Sequence, residues 1–195
     1  MSGTPDEPMI TAGPWWARAG REGSWQLALL AGWLGLIALA LLGLGMLAAA
    51  LQAQRDEARS TDLALVMTAS LPAEGLAERV FDLYRRGLMP QILVAGPGRE
   101  GLRAQLIERG MREEVILLVA DEPVTSVAAQ AVTRAAQAQG AQSVLIITAP
   151  EALLASVKIA QDQGLRAYAA PLAGRPSVAI LLQASLNYWQ YVLAL

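Results

Sequence analysis

The stretch SVLIITAPEALLASVKIAQDQGLRAYAA, residues 143–170, decides the fold. Ser143-Val-Leu-Ile-Ile-Thr148 is a short, continuous apolar run, the pattern of a strand buried on both faces. Pro150 to Gly164 has the length of a helix, and Arg166-Ala-Tyr-Ala-Ala170 returns to strand character. Strand, helix and strand in immediate succession make a βαβ unit. Its crossover is right-handed and its strands are parallel.

Working outward, the pattern repeats. Leu63-Ala-Leu-Val-Met-Thr68 is an apolar run followed by helical spacing from Pro72 to Gly87, with Leu76, Val80, Leu83 and Tyr84 on one face. Pro72 suits a first helical turn and Gly87 a stop. Gln91-Ile-Leu-Val-Ala95, a helix over Glu100–Gly110, Val115-Ile-Leu-Leu-Val119 and a helix from Val124 to Gly140 complete the series. The fold class is therefore α/β: a Rossmann-like three-layer sandwich with about five parallel strands, covering residues 63–195. Ligands of such sheets bind beyond the carboxyl ends of the strands. That singles out Thr68–Leu71, Gly96–Glu100, Ala120–Ser126 and Thr148–Glu151, with Thr68, Ser70, Gly96, Gly98, Asp121, Thr125 and Thr148 as candidate cofactor-binding positions.

Upstream of the domain lies a membrane anchor. No residue from Gly23 to Gln54 is charged. A bilayer core needs about 20 helical residues, and a signal-peptide core only about 7–15. The expectation is one uncleaved transmembrane helix over 25–51, preceded by a polar tail (1–24) and followed by a short linker or helix extension (52–62). Ala48-Ala49-Ala50 as a cleavage site is the rival reading. Arg18 and Arg21 on one flank balance Arg55 and Arg59 on the other, so the charge rule leaves orientation open. Trp15, Trp16 and Trp25 are expected in an interfacial aromatic belt, as is Trp189 at the other end of the chain. Ala28, Ala31, Gly32, Gly35 and Ala38 form a small-residue stripe, and Gly45 and Ala49 repeat the four-residue spacing. Such a stripe suits contact with another membrane helix, or arises by chance in an Ala-rich anchor.

Pro176 to Leu195 also lacks charge and reads as an apolar C-terminal helix (177–195) capped by Ser177. Three placements compete: on the sheet, along the bilayer interface, or as a second span interrupted by Gln183, Asn187 and Gln190.

Composition narrows the chemistry. Apolar residues are 54% and charges 16%, with a net charge of −2, which excludes a disordered chain and a strongly basic nucleic-acid binder. There is no Cys and no His, and Lys158 is the single lysine. A disulfide framework, thiolate chemistry and imidazole base or metal chemistry are all absent. Ser70 has no histidine to activate it. Gly96-Pro97-Gly98 is a plain turn or a phosphate cradle, but it matches neither the dinucleotide fingerprint nor the P-loop. Asp121, Glu122, Thr125 and Ser126 either cap a helix, with Thr125 or Asp121 as N-cap, or pair as acid, base or metal ligands. Glu151 reads as a helix N-terminal acid, Lys158 as solvent-facing, and Arg85-Arg86 as a solvated helix end.

The passage Leu83-Tyr84…Gly87…Pro90-Gln-Ile-Leu-Val-Ala-Gly96, then Leu106…Gly110, Val144-Leu-Ile-Ile-Thr148, Gly164 and Pro176-Ser177, resembles the YdcF/SanA/ElyC family over about residues 62–195. These are bacterial α/β domains often tethered to the inner membrane and linked to envelope functions. The family's cleft residues are mostly replaced. Its glycine-rich first turn falls on Thr68-Ala69-Ser70, its Arg on Leu76, and its Ser-Gly-Gly turn on Ala95-Gly96-Pro97. Its Asn-containing helix start falls near Thr125-Ser126, and its His and second Arg fall on Ala152 and Ala155. Alanine cannot replace the planar donor fork of arginine. The resemblance thus implies a degenerate, non-catalytic member with no cofactor and no metal, its cleft stripped of cations. The expected function is that of a single-pass accessory subunit docking with other membrane proteins in a larger complex, such as a respiratory or photosynthetic one. Its partners are those subunits and the lipid bilayer, with no nucleic acid. Anchored relatives imply the cell inner membrane, with the domain extracytoplasmic. The alternative is an envelope enzyme or a binder of nucleotide or S-adenosylmethionine.

Overall fold

The structure is a computed structural model that describes residues 16–68, 75–119, 126–172 and 176–194. Helix α1 (Trp16–Gln54) is followed by β1 (Leu63–Met67), α2 (Leu76–Arg85), β2 (Ile92–Ala95), α3 (Arg99–Glu108), β3 (Ile116–Leu118), α4 (Ser126–Ala138), β4 (Ser143–Ile147), α5 (Pro150–Asp162), β5 (Arg166–Ala169) and α6 (Val178–Ala194). The five strands form one parallel sheet in the order β3-β2-β1-β4-β5. The fold is α/β, with the Rossmann-like arrangement the alternating runs imply.

Side-chain alternation explains the layers. Leu63, Leu65, Met67, Leu93, Val144 and Ile146 point to one face, where they meet Val132 and Ala136 of α4 and Leu153, Val157 and Ala160 of α5. Their sequence neighbours Ala64, Val66, Ile92, Val94, Leu145 and Ile147 point to the other, against Leu76, Val80 and Leu83 of α2 and Leu102 and Leu106 of α3. Strands β1, β2 and β4 are buried throughout, so they carry no polar alternation. Each fully buried Leu, Ile or Val in this core contributes about 1.5–3 kcal/mol relative to exposure. Helix α5 stops where Gly164 adopts φ +86°. The Gly164 amide reaches the Gln161 carbonyl (2.9 Å) and the Leu165 amide the Ala160 carbonyl (3.0 Å), a Schellman closure that turns the chain into β5.

One boundary differs from expectation. The run at 115–119 begins as a 3-10 turn over Glu113–Val115, so β3 is shorter. The helix expected from Val124 is described from Ser126, and Pro72 lies outside the described residues. Residues 52–62 are not a free linker. Helix α1 runs through Gln54, and the remainder is tied down: Glu57 N–H donates to the Ala169 carbonyl (3.0 Å), Arg79 pairs with Asp56 (2.6 Å), and the Arg59 guanidinium sits 4.4 Å from the Tyr168 ring centre.

By its contacts the chain divides between Leu41 and Leu42, so the last stretch of α1 belongs with the α/β unit. Within that unit α6 rests chiefly on α5, sends Tyr191 and Val192 into the core cluster on that face of the sheet, and touches the end of α1 through Ser185. The Ser177 hydroxyl accepts from the Ile180 amide (3.3 Å), the N-cap the sequence suggests.

Candidate functional site

In the strand order 3-2-1-4-5 the direction of winding switches between β1 and β4, and in such sheets the ligand crevice lies at the carboxyl ends of those two strands. Two of the candidate residues meet there. Thr68 ends β1 and Thr148 ends β4, and each is 1% exposed. The Thr148 hydroxyl donates to the Met67 carbonyl (3.2 Å), and the Ser156 hydroxyl donates to the Ala152 carbonyl (2.8 Å) close to the Met67 sulfur. The crevice floor is stitched by the protein's own groups.

Gly96 closes one side. Its φ is +103°, and a Cβ there would overlap the Thr68 carbonyl, so only glycine lets β2 turn this close to β1. Gly98 is the N-cap of α3 with an ordinary φ of −89°, and its carbonyl accepts from Leu102 N–H (3.0 Å). The Gly96-Pro97-Gly98 turn therefore does a structural job. Glu151 lies in the first turn of α5, where an acid complements the helix dipole. Ser70, Asp121 and Thr125 lie outside the described residues, as does Glu122.

One residue escaped the sequence reading. Arg99 opens α3 at this same edge, half-buried, with its Nε and Nη1 atoms shut off from water. This arginine is not at a position where the resembled family places its cations, which fall on Leu76 and Ala155. Its signal was position: the first residue after a turn that follows a strand faces the crevice.

The two open cavities described lie elsewhere. One, about 490 Å³, is lined by Gln130, Arg134, Gln137, Asp162, Gln163 and Tyr191, on the helices α4, α5 and α6. Its carboxylate is engaged: Lys158 pairs with Asp162, and the Tyr191 hydroxyl donates to it at 3.1 Å. The Lys158 ammonium and then the tyrosine hydroxyl hold Asp162 below the usual carboxylate range, against the effect of burial. Burial first, then the hydrogen bond to Asp162, push the Tyr191 phenol up. The other, about 680 Å³, lies at the amino ends of the strands and includes Thr61, Asp62, Tyr84 and Arg112. Asp62 is a clasp rather than a catalyst. Its Oδ2 accepts from the Gln142 amide (3.0 Å), the Ser143 amide (2.8 Å) and the Ser143 hydroxyl (2.9 Å), tying β1 to β4. The two amides and the hydroxyl lower its pKa. Among the described residues no cluster of three metal-ligating side chains occurs.

The second candidate surface is α1 itself. Among the described residues it is the one helix long and apolar enough to cross a membrane, over Trp25–Gln54. From Trp25 to Leu41 every side chain is exposed, including Trp25 (73%) and Trp33 (63%). Ala28, Ala31, Gly32, Gly35 and Ala38 are exposed, and space for a Cβ at Gly32 or Gly35 is open to 4 Å. Further along, the small spacing is used. A Cβ on Gly45 would overlap the Ser185 hydroxyl and press on the Trp189 indole, Ala49 is 4% exposed, and the Ser185 hydroxyl donates to the Leu42 carbonyl (3.1 Å). Trp189, expected in an aromatic belt, has its indole nitrogen over Gly45. Trp15 lies outside the described residues, and of Trp16 only the backbone is described.

Comparison with known proteins adds no relative: no family model matches the chain, and neither a curated protein nor a solved structure does.

Proposed function

We propose that this chain is a single-pass, bilayer-anchored accessory subunit, a degenerate YdcF-like α/β domain that docks with other membrane proteins and carries out no catalysis. One observation carries the reading. Ala31, Ala38 and Gly45 recur at seven-residue intervals on one face of α1; Gly45 seats Ser185 and Trp189 of this chain, whereas Ala31 and Ala38 stand exposed, as do Gly35 beside that face and Gly32 further round the helix. In lipid, where apolar surface gives no drive to associate, small residues allow the close backbone approach that holds helices together. The crevice supports the same reading, because the hydroxyl of Thr148 is spent inside the fold and the chain has neither His nor Cys. By resemblance to anchored relatives, the domain lies outside the cytoplasm and the partners are subunits of an inner-membrane assembly, for instance a respiratory or photosynthetic one.

Gentle detergent extraction followed by native mass spectrometry tests this. The expected result is a defined complex that loses its partners in the Gly32→Leu/Gly35→Leu variant while the domain melts unchanged. Migration of the native chain as a lone monomer contradicts it.

Arg99 favours a second reading, a binder of nucleotide or S-adenosylmethionine at the β1–β4 crevice. A guanidinium at that edge suits a phosphate or carboxylate. A melting shift of several degrees with such a ligand, abolished by Arg99→Ala, would select it over the first.

A further inference from the structure

Helix α6 carries no charge, yet it is not wrapped by the domain. Its side chains sort into three arcs when placed at the helical period. Ala184, Ser185 and Tyr191 are buried on α5 and α1. Gln183, Asn187 and Gln190 form a polar arc, in which Gln183 donates to Asn187 (3.0 Å) and Asn187 donates to the Glu151 carbonyl (3.1 Å). Val178 (72% exposed), Ala179, Leu182, Leu186 and Leu193 (78%) make a third arc of about 100°, wholly apolar and open.

Where α6 sits says what covers that arc. It meets α1 at Leu42 and Gly45, through the Ser185–Leu42 hydrogen bond and the seat of Ser185 and Trp189 on Gly45. Trp25 to Gly45 is the length of helix that covers about 30 Å, the thickness of the hydrocarbon layer. Counted along α1, a span that begins at Trp25 ends near Gly45, the residue on which α6 is seated. The arc borders the α1-facing side of α6, and the polar arc lies beyond it. Trp189, an apolar ring with one donor, stands at the crossing, as aromatic residues do at the headgroup level.

We infer that α6 is a second, non-spanning membrane element, lying in the headgroup–acyl boundary with Val178, Leu182, Leu186 and Leu193 in lipid. This rests on the anchor reading of α1. It assigns α6 a lipid surface, separate from the small-residue face proposed for protein partners. The bilayer would thereby hold the domain at two places and fix its rotation about α1.

The chain lacks cysteine, so single-cysteine variants need no background removal. The full chain, reconstituted in phosphatidylcholine–phosphatidylglycerol vesicles, is spin-labelled in turn at Leu182→Cys, Leu186→Cys and Leu193→Cys, at Gln183→Cys and Gln190→Cys on the polar arc, and at Leu39→Cys in the anchor. Collisions with oxygen, which concentrates in lipid, are compared with those of a water-soluble nickel chelate. Oxygen should dominate several-fold at 182, 186, 193 and 39, and nickel at 183 and 190. Nickel-dominated signals at 182, 186 and 193, with Leu39 still in lipid, overturn the assignment of α6 and leave the anchor standing. Labels at 182, 186 and 193 shielded from both reagents would show a second copy covering the arc and equally overturn it. A nickel-accessible label at 39 removes the anchor, and α6 falls with it.

Discussion

The two parts of α1 share a composition but not an environment. From Trp25 to Leu41 its leucines, tryptophans and small residues are all exposed, whereas from Leu42 to Ala49 one side is covered, with Gly45 beneath Ser185 and Trp189 of α6 and Ala49 buried, while Leu44 and Leu47 stay exposed. A long, wholly exposed apolar surface is not stable in water, because its burial is the main favourable term in folding. The bare part lies within a stretch long and apolar enough to cross a membrane, while Gly45 shows what a small residue does when a second helix is available. Exposure and small size, read together on one helix, separate a lipid contact from a helix contact.

The largest effect should come from charging the bare part. Leu36→Arg with Leu39→Arg places two cations in the middle of the span at about 3 kcal/mol each. The variant should leave the membrane fraction on an alkaline wash, and full retention would break the lipid assignment. Next is Gly45→Val, which forces a side chain into Ser185 and Trp189. Overpacking of this kind costs about 1–3 kcal/mol, read as a lower melting temperature of the domain. An unchanged melt would mean that α6 does not depend on α1.

Asp62→Asn perturbs the domain without touching either part of α1, and so sharpens the contrast. It should cost about 1 kcal/mol, at the low end for hydrogen bonds to a charged group because the residue is exposed. The folded-state pKa is lowered, so the stabilisation is present above the unfolded value near about 4 and fades as pH falls through the folded value. Denaturant melts of the two proteins should differ at neutral pH and converge in acid; a gap that widens in acid would contradict the clasp. The smallest effect is Gly35→Val, where the space is open. Domain stability should stay within about 0.5 kcal/mol of the native value, and only association with partners should weaken.

Much of the fold was legible because buried parallel strands and glycine-stopped helices leave local marks. The runs at 63–68, 91–95 and 143–148 needed only their own residues to be read, and so did Ser177 as a cap. The seat of α6 was not legible. Twenty uncharged residues look alike whether they face a sheet, a helix or lipid, and what selects α5 and Gly45 is three-dimensional shape. The Asp62 clasp was equally hidden, since its partners Gln142 and Ser143 lie some eighty residues away. At the crevice, Thr68 and Thr148 were found from the strand ends. The internal hydrogen bond of the Thr148 hydroxyl, which turns a candidate ligand group into a structural one, depends on β1 and β4 being neighbours. Arg99 lies in the Gly96–Glu100 segment, but nothing in its neighbours distinguishes it from a solvated helix arginine; its partial burial comes from the packing of α3.

The central claim, that the bare part of α1 lives in lipid, is tested most directly by thiol accessibility in sealed vesicles. A single cysteine at Leu36 and another at Gln54 are each challenged with a membrane-impermeant maleimide, which reacts with the thiolate formed in water. The account predicts rapid labelling at 54 when that face is outward, and labelling at 36 only after detergent is added and the chain unfolded. Labelling at 36 as fast as at 54 in intact vesicles would contradict it.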